Sequence, residues 1–213
     1  MRILVIASAP VYMQPSPKSP AYVDTLKKAG LSIPTSDIEN ESAYQSAANG
    51  FSRRARDLFQ GSFQRVVKGI DDLRSQGLKV DLFAISPRYG IVSEFDLLLP
   101  YSFSLRRAPK RSARMISEKL NTHGVLSDLL KGGYDLFMIM VNRSDLLLVH
   151  DPEHGFDLGE VPVKTVVIGA PSLSEAIGGR RKFIGARQPG ARSELFARYV
   201  EEMTATNLRD YPS

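Results

Sequence analysis

Four short runs of the chain are almost continuously apolar: Arg2–Ala7, Val80–Ser86, Tyr134–Val141 and Val163–Ala170. A strand with one wet face alternates apolar with polar residues. A run without alternation is the pattern of a strand covered on both faces, which occurs chiefly in parallel sheets sandwiched by helices. The intervening segments read as helices. Ser19 and Pro20 form an N-cap followed by proline at the first helical position, and Gly30 stops that helix. Glu41 to Phe59 carries apolar or small residues at helical spacing, with Arg53, Arg54 and Arg56 outward. Phe63 to Leu73 continues as a second helix ended by Gly77. Met115 to Leu130 predicts one or two helices with a break near His123-Gly124. Ala191 to Met203 predicts a final helix with Leu195, Phe196, Tyr199, Val200 and Met203 as its apolar stripe.

This alternation predicts an α/β fold: a single domain over 1–213 with a mostly parallel central sheet flanked by helices. Residues 31–40 and 148–162 read as loops, and 204–213 as a flexible tail. No apolar run is long enough for a transmembrane helix, and the run in MRILVIASAP is too short for a signal sequence. It is a first strand. There is no cysteine, which excludes disulfides, iron–sulfur clusters, thiolate zinc sites and cysteine nucleophiles. A cytoplasmic location without a membrane partner is the expectation.

The net charge of +5 is concentrated. Arg106, Arg107, Lys110, Arg111 and Arg114 lie in a segment without an acid. Arg180, Arg181, Lys182, Arg187 and Arg192 form a second such group. Clustered cations favour polyanions through counterion release and steering, although a solvated basic face has the same composition.

In open α/β sheets ligands bind beyond the carboxyl ends of the strands. Two such ends are unusual here. The first, SAPVYMQPSPKSP, is a long loop stiffened by prolines and carrying Lys18. The second follows the strand ending at Ser86 and reads ISPRYGIVSEFDLLLPYSF. Pro87 blocks simple continuation of the strand, and Gly90 permits a turn. Arg88 can hold a carboxylate or phosphate in a fork, and Tyr89 and Tyr101 offer stacking faces and hydroxyls. Asp96 is the lone charge among apolar neighbours. It either pairs with a basic group such as Arg88 and shapes the loop, or acts as a base.

The run SPRYGIVSEFDLLLPYSFSL resembles the hallmark of the YaaA family of peroxide-stress proteins, S-G-x-Y-G-x-L-x-P-x-D-x-[IM]-x-P-Y-R-x-E-M. Ser86, Tyr89, Gly90, Asp96, Pro100 and Tyr101 fall on that pattern. Ser102 replaces the family's Arg, Ser104 its Glu and Glu94 its first Pro, which points to a different ligand. ARQPGARSELFARYVEEM is similar to the family's final segment, and LFQGSFQRVVKGIDDL, more weakly, to a stretch before the central strand. Broader relatives sharing this core include a domain of archaeosine-forming tRNA-modification enzymes.

The resemblance implies a compact α/β fold, nucleic-acid binding and a role in limiting damage from peroxide and free iron, without a settled catalytic mechanism. It places Tyr89, Gly90, Asp96 and Tyr101 along a cleft, and Arg192 and Arg198 on the last helix. Those two arginines are six positions apart, about 600° of helix, and so are offset by roughly 120°. Arg192 near the helix start suits phosphate binding, whereas Arg198 suits an internal ion pair.

HDPEH at 150–154 spaces two histidines four apart. On a helix His150 and His154 could ligate a metal, but Pro152 and the flanking glycines favour a loop. No metal and no cofactor are expected. Phosphate-loop, dinucleotide and nucleophile-elbow motifs are absent. Asn142 and Gly169 stand at further strand ends that could converge on the same crevice.

The leading expectation is association with DNA or RNA through Arg106–Arg114 and the 180–192 group, with a base or nucleotide in the cleft around Arg88, Tyr89 and Asp96, lined by Ser86, Gly90, Tyr101 and Asn142. The alternative is a nucleoside- or nucleobase-processing enzyme, with Asp96, Arg88 and Tyr89 as catalytic groups. A third is metal sequestration through residues 150–154.

Overall fold

The computed structural model describes residues 1–106, 108–177, 182–186 and 188–205. Five strands form the parallel part of one sheet: β1 (Arg2–Ser8), β3 (Lys79–Ser86), β6 (Leu136–Val141), β7 (Thr165–Gly169) and β8 (Lys182–Gly185). A sixth, β4 (Gly90–Ser93), folds back antiparallel to β3. Across the sheet the order is β4-β3-β1-β6-β7-β8. The remaining strands, β2 (Arg53–Arg54) and β5 (Leu97–Leu98), form a two-residue ribbon.

The helices are α1 (Pro20–Lys28), α2 (Glu41–Ala48), α3 (Ala55–Leu58), α4 (Ser62–Ser75), α5 (Lys110–Lys119), α6 (Thr122–Leu130), α7 (Arg143–Val149), α8 (Ser174–Ile177) and α9 (Pro189–Ala205). Among the described residues no helix is long and apolar enough to cross a membrane.

The unalternating runs become strands covered on both faces. Ile3, Val5 and Ala7 of β1 face one layer, with Phe63, Val66 and Ile70 of α4 and Phe196 and Tyr199 of α9. Leu4 and Ile6 face the other, with Ala113 of α5, Leu126 of α6 and Leu146 and Val149 of α7. Each fully buried aliphatic side chain contributes about 1.5–3 kcal/mol relative to an exposed one. A third, smaller cluster joins Tyr22 and Leu26 of α1 to Tyr44 and Ala48 of α2 and to Leu99.

Several elements depart from the sequence reading. The expected helix Glu41–Phe59 is interrupted after Ala48, and Arg53 and Arg54 leave helical geometry to pair with Leu98 and Leu97. Asn49-Gly50 supplies the weak point, since both residues have low helix propensity. The break expected at His123-Gly124 falls earlier, at Asn121, whose backbone is left-handed (φ 48°). Asparagine is among the few residues that take this conformation readily. The helix α9 includes Thr204 and Ala205, which the sequence reading assigns to the tail, and residues 206–213 lie outside the described residues. The side chain of Met203, assigned to the α9 stripe, also lies outside them. β4, β5, α7, α8 and β8 are additions, and α7 takes Leu148 and Val149 from the expected 148–162 loop.

Candidate functional site

The parallel strands run outward from β1 to β3, then cross back to β6 and onward to β7 and β8. Winding therefore reverses between β1 and β6, and the crevice beyond their carboxyl ends is where open α/β sheets bind ligands. Ser8 and Ser86 end β1 and β3, and Asn142 directly follows β6.

Ser86 organises the turn after β3. Its hydroxyl accepts from the backbone N–H of Arg88 (3.3 Å) and of Tyr89 (3.1 Å), and donates to the Tyr101 hydroxyl (2.9 Å). Gly90 closes the turn at φ 76°, and a β-carbon there would lie 3.3 Å from Leu120 and Thr122 side-chain atoms. Glycine alone fits both constraints. Burial pushes the Tyr101 hydroxyl well above the usual tyrosine range, so it stays neutral.

Arg88 is 1% exposed. Its Nη1 donates to the Thr35 carbonyl (2.5 Å) and Asp37 Oδ1 (2.8 Å), and its Nη2 to Glu41 Oε2 (2.6 Å). The guanidinium lies 5.3 Å from the Tyr44 ring centroid and 5.2 Å from that of Tyr89. The Tyr89 hydroxyl donates to Glu41 Oε1 (3.1 Å), and that of Tyr44 to Asp37 Oδ2 (2.6 Å). Burial works to raise the Asp37 pKa, but hydrogen bonds from Tyr44, Thr35 and Arg88 outweigh it and hold the carboxyl below its usual range.

The expected pair between Arg88 and Asp96 is therefore corrected. Asp96 is exposed in the turn between β4 and β5, where its Oδ2 accepts from the Ser93 N–H (2.8 Å). That bond shapes a turn, and nothing about the exposed carboxylate marks a general base. The buried acid of this stretch is Glu94, 1% exposed, which pairs with Arg56 (3.0 Å) and Arg74.

The switch point carries a second polar cluster. Asn142 caps α7: its Oδ1 accepts from the Asp145 N–H (2.9 Å), its Nδ2 donates to Asp145 Oδ2 (2.7 Å), and its own N–H donates to Ser8 Oγ (3.1 Å). Asp145 is 5% exposed. Burial pushes its carboxyl up to about 6, against hydrogen bonds from Ser8 and Asn142 and the field of Arg192. Arg192 is half-buried, and its Nε donates to the Ala186 carbonyl (3.3 Å). Burial pulls its pKa below the ordinary value, and the Asp145 carboxylate opposes that shift. The two arginines of α9 differ in burial: Arg192 is half-buried within the field of Asp145, whereas Arg198, read as suited to an internal ion pair, is exposed.

The loop leaving β1 exposes Val11 and Tyr12, the latter 73%. Its backbone is nonetheless held, because the Tyr12 carbonyl accepts from the Gln60 N–H (3.0 Å) and the Gln14 N–H donates to the Leu58 carbonyl (2.9 Å).

Of the basic residues, Arg106, Lys110 and Arg111 are exposed around the start of α5, and no described acid forms an ion pair with them. Arg114 is half-buried and donates to Asp151 Oδ2 (2.7 Å). An open groove on this face is lined by Lys110, Arg111, Arg114, Met115 and Glu118. Next to it a cavity of about 140 Å³ opens beside Arg88, between Ser36, Pro87, Ile116, Lys119 and Leu120. Lys182 places its Nζ 4.6 Å from the Tyr199 ring centroid. Arg107, Arg180, Arg181 and Arg187 lie outside the described residues.

His150 and His154 do not share a helix face. His150 is buried where α7 ends, and its Nδ1 accepts from the Leu158 N–H (3.3 Å), while His154 stands exposed on the following turn. The four-residue spacing therefore does not make a two-histidine ligand pair.

Asp37, Glu41, Ser8 and Asp145 are site residues that the sequence reading misses. For Asp145 a signal existed, because Asn142 three residues ahead of an acid is an N-cap pattern. Nothing local marks Asp37 and Glu41, which reach Arg88 across about fifty positions. No family model matches the chain, and no curated protein matches it in sequence.

Proposed function

We propose that this protein associates with nucleic acid through the face at the start of α5. The observation that carries this reading is the first turn of that helix. It has no acid and no side-chain cap, and it presents exposed Lys110 and Arg111 instead. Unsatisfied N–H groups and the positive end of the helix dipole already disfavour cations there, so a bound phosphate relieves both. The neighbouring cavity, about 140 Å³, is close to the roughly 150 Å³ that accepts a single six-membered ring in an engineered core, and its open mouth lets a base enter edge-first beside Arg88. The resemblance of residues 86–101 to the peroxide-stress family supports the same reading and gives protection against peroxide damage as its setting.

The test is fluorescence anisotropy with duplex DNA, single-stranded DNA and tRNA at two salt concentrations. Binding falls steeply with salt. A Lys110→Ala/Arg111→Ala variant lowers the duplex log–log salt slope by roughly 2, since each phosphate that a side chain neutralises contributes about 0.9. Salt-insensitive or absent binding to all three overturns the proposal.

A second reading, an enzyme processing a nucleoside or nucleobase, is favoured by Asp145. A buried carboxyl titrating near 6 at a switch point is suited to proton transfer at neutral pH. Release of free base from a panel of nucleosides and oligonucleotides, abolished by Asp145→Asn with binding intact, is the expected signature. No release from any of them removes this reading.

A further inference from the structure

Residues 151–156 form a closed turn. The Asp151 N–H donates to the Phe156 carbonyl (2.9 Å), and the Asp151 carbonyl accepts from His154 (3.2 Å) and Gly155 (2.8 Å). Three side chains of this turn, Asp151, Glu153 and His154, each bring one potential ligand atom within 4.8 Å of the others. His154 Nδ1 stands 3.6 Å from Asp151 Oδ1 and 3.8 Å from Glu153 Oε2. Ligands about 2.0–2.2 Å from a tetrahedral ion lie about 3.3–3.6 Å apart, so the two His154 separations are at or within a few tenths of an ångström of that spacing, and the third, within 4.8 Å, closes by rotation of the exposed Glu153 side chain.

An independent observation points the same way. Asp151 is 5% exposed, and its Oδ1 is buried without a hydrogen-bond partner. A buried carboxylate oxygen left in this state is costly unless something positive meets it. Its other oxygen is held by Arg114 Nε at 2.7 Å. That bond fixes the carboxylate plane and leaves Oδ1 directed at His154, the arrangement in which an outer group orients a metal ligand.

We propose that Asp151 Oδ1, Glu153 and His154 Nδ1 bind one divalent first-row cation of the zinc class. One imidazole and two carboxylates exclude soft ions such as Cu(I), which prefer sulfur, and suit Zn²⁺ and its neighbours. Three protein ligands leave one position open to water or an anion. Arg114 also lines the basic groove on α5, so this side chain is shared between the cation site and the face proposed for phosphate. The cation site stands independently of that proposal. It also differs from a His150–His154 pair, since His150 is turned toward Leu158 and Asp157.

The test is titration of the full chain with Co²⁺, followed by visible absorption and then displaced with Zn²⁺. One equivalent binds with the intense bands of a tetrahedral ion, and His154→Ala and Glu153→Gln each weaken binding at least about tenfold. Both side chains are more than half exposed, at 52% and 68%, so neither variant threatens the fold. Circular dichroism confirms that. Absence of saturable binding overturns the proposal, as does unchanged Co²⁺ affinity in both variants.

Discussion

Arg88 shows how far one side chain can reach in setting a site. Its guanidinium ties the turn after β3 to residues 35–41, with a carboxylate at each end of its fork. Removing one partner from a buried ion pair costs about 3–5 kcal/mol, because the partner's charge is left unmatched. Arg88→Met is therefore expected to lower unfolding stability by about that much in urea titrations, while Asp96→Asn, in an exposed turn, changes it by less than about 0.5 kcal/mol. Comparable losses in the two variants would return Asp96 to the centre of the site.

Asp145 makes a prediction in pH. Its carboxyl titrates at about 6 when folded, against an ordinary value of 3.8. The folded state therefore holds this proton more tightly than the unfolded state. The stabilisation is fully present below about pH 4 and is lost as pH rises through 6, an effect of order 3 kcal/mol. Asp145→Asn should flatten that part of the stability–pH curve. An identical slope in the variant would mean that other groups set it.

At the scale of elements, α4 and α9 cross closely at Gly69, where an added β-carbon would stand 3.0 Å from the Phe196 ring. Phe196 is fully buried in this contact. Truncation to alanine is expected to cost about 3–5 kcal/mol; a cost below about 1 kcal/mol would show that the layer repacks. Much of this architecture was legible in the sequence. Unalternating strands, Pro20 at the first position of α1 and the α9 stripe carry their own local signals, although Ser19, expected to cap α1, makes no side-chain cap bond. What escaped were elements too short for periodicity, such as β4 and β8, and pairings whose partners are distant in sequence. Arg88 stands out from its own neighbourhood, but its acids lie in a polar segment with no periodic pattern. Ser86, Tyr89, Gly90 and Tyr101 could be placed together because they share one stretch.

Across the whole molecule, stability is expected to be uneven. β1 lies between β3 and β6, with Ile3 to Ile6 at 0% exposure, whereas α1 and α2 share a separate small cluster. Native-state hydrogen exchange should show β1 amides opening only with global unfolding, and α1 and α2 amides opening several kcal/mol earlier. Equal protection in both would mean that the Arg88 bridge makes the helical pair part of the central unit.

The outermost strands of the sheet, β4 and β8, are four residues each, and β8 begins with exposed Lys182. A sheet margin is a template for pairing with another chain, and a brief margin bearing a lysine is a poor one. Growth of the sheet by addition of a neighbour's strand is thereby discouraged, so copies of this chain should stay apart at high protein concentration rather than join margin to margin.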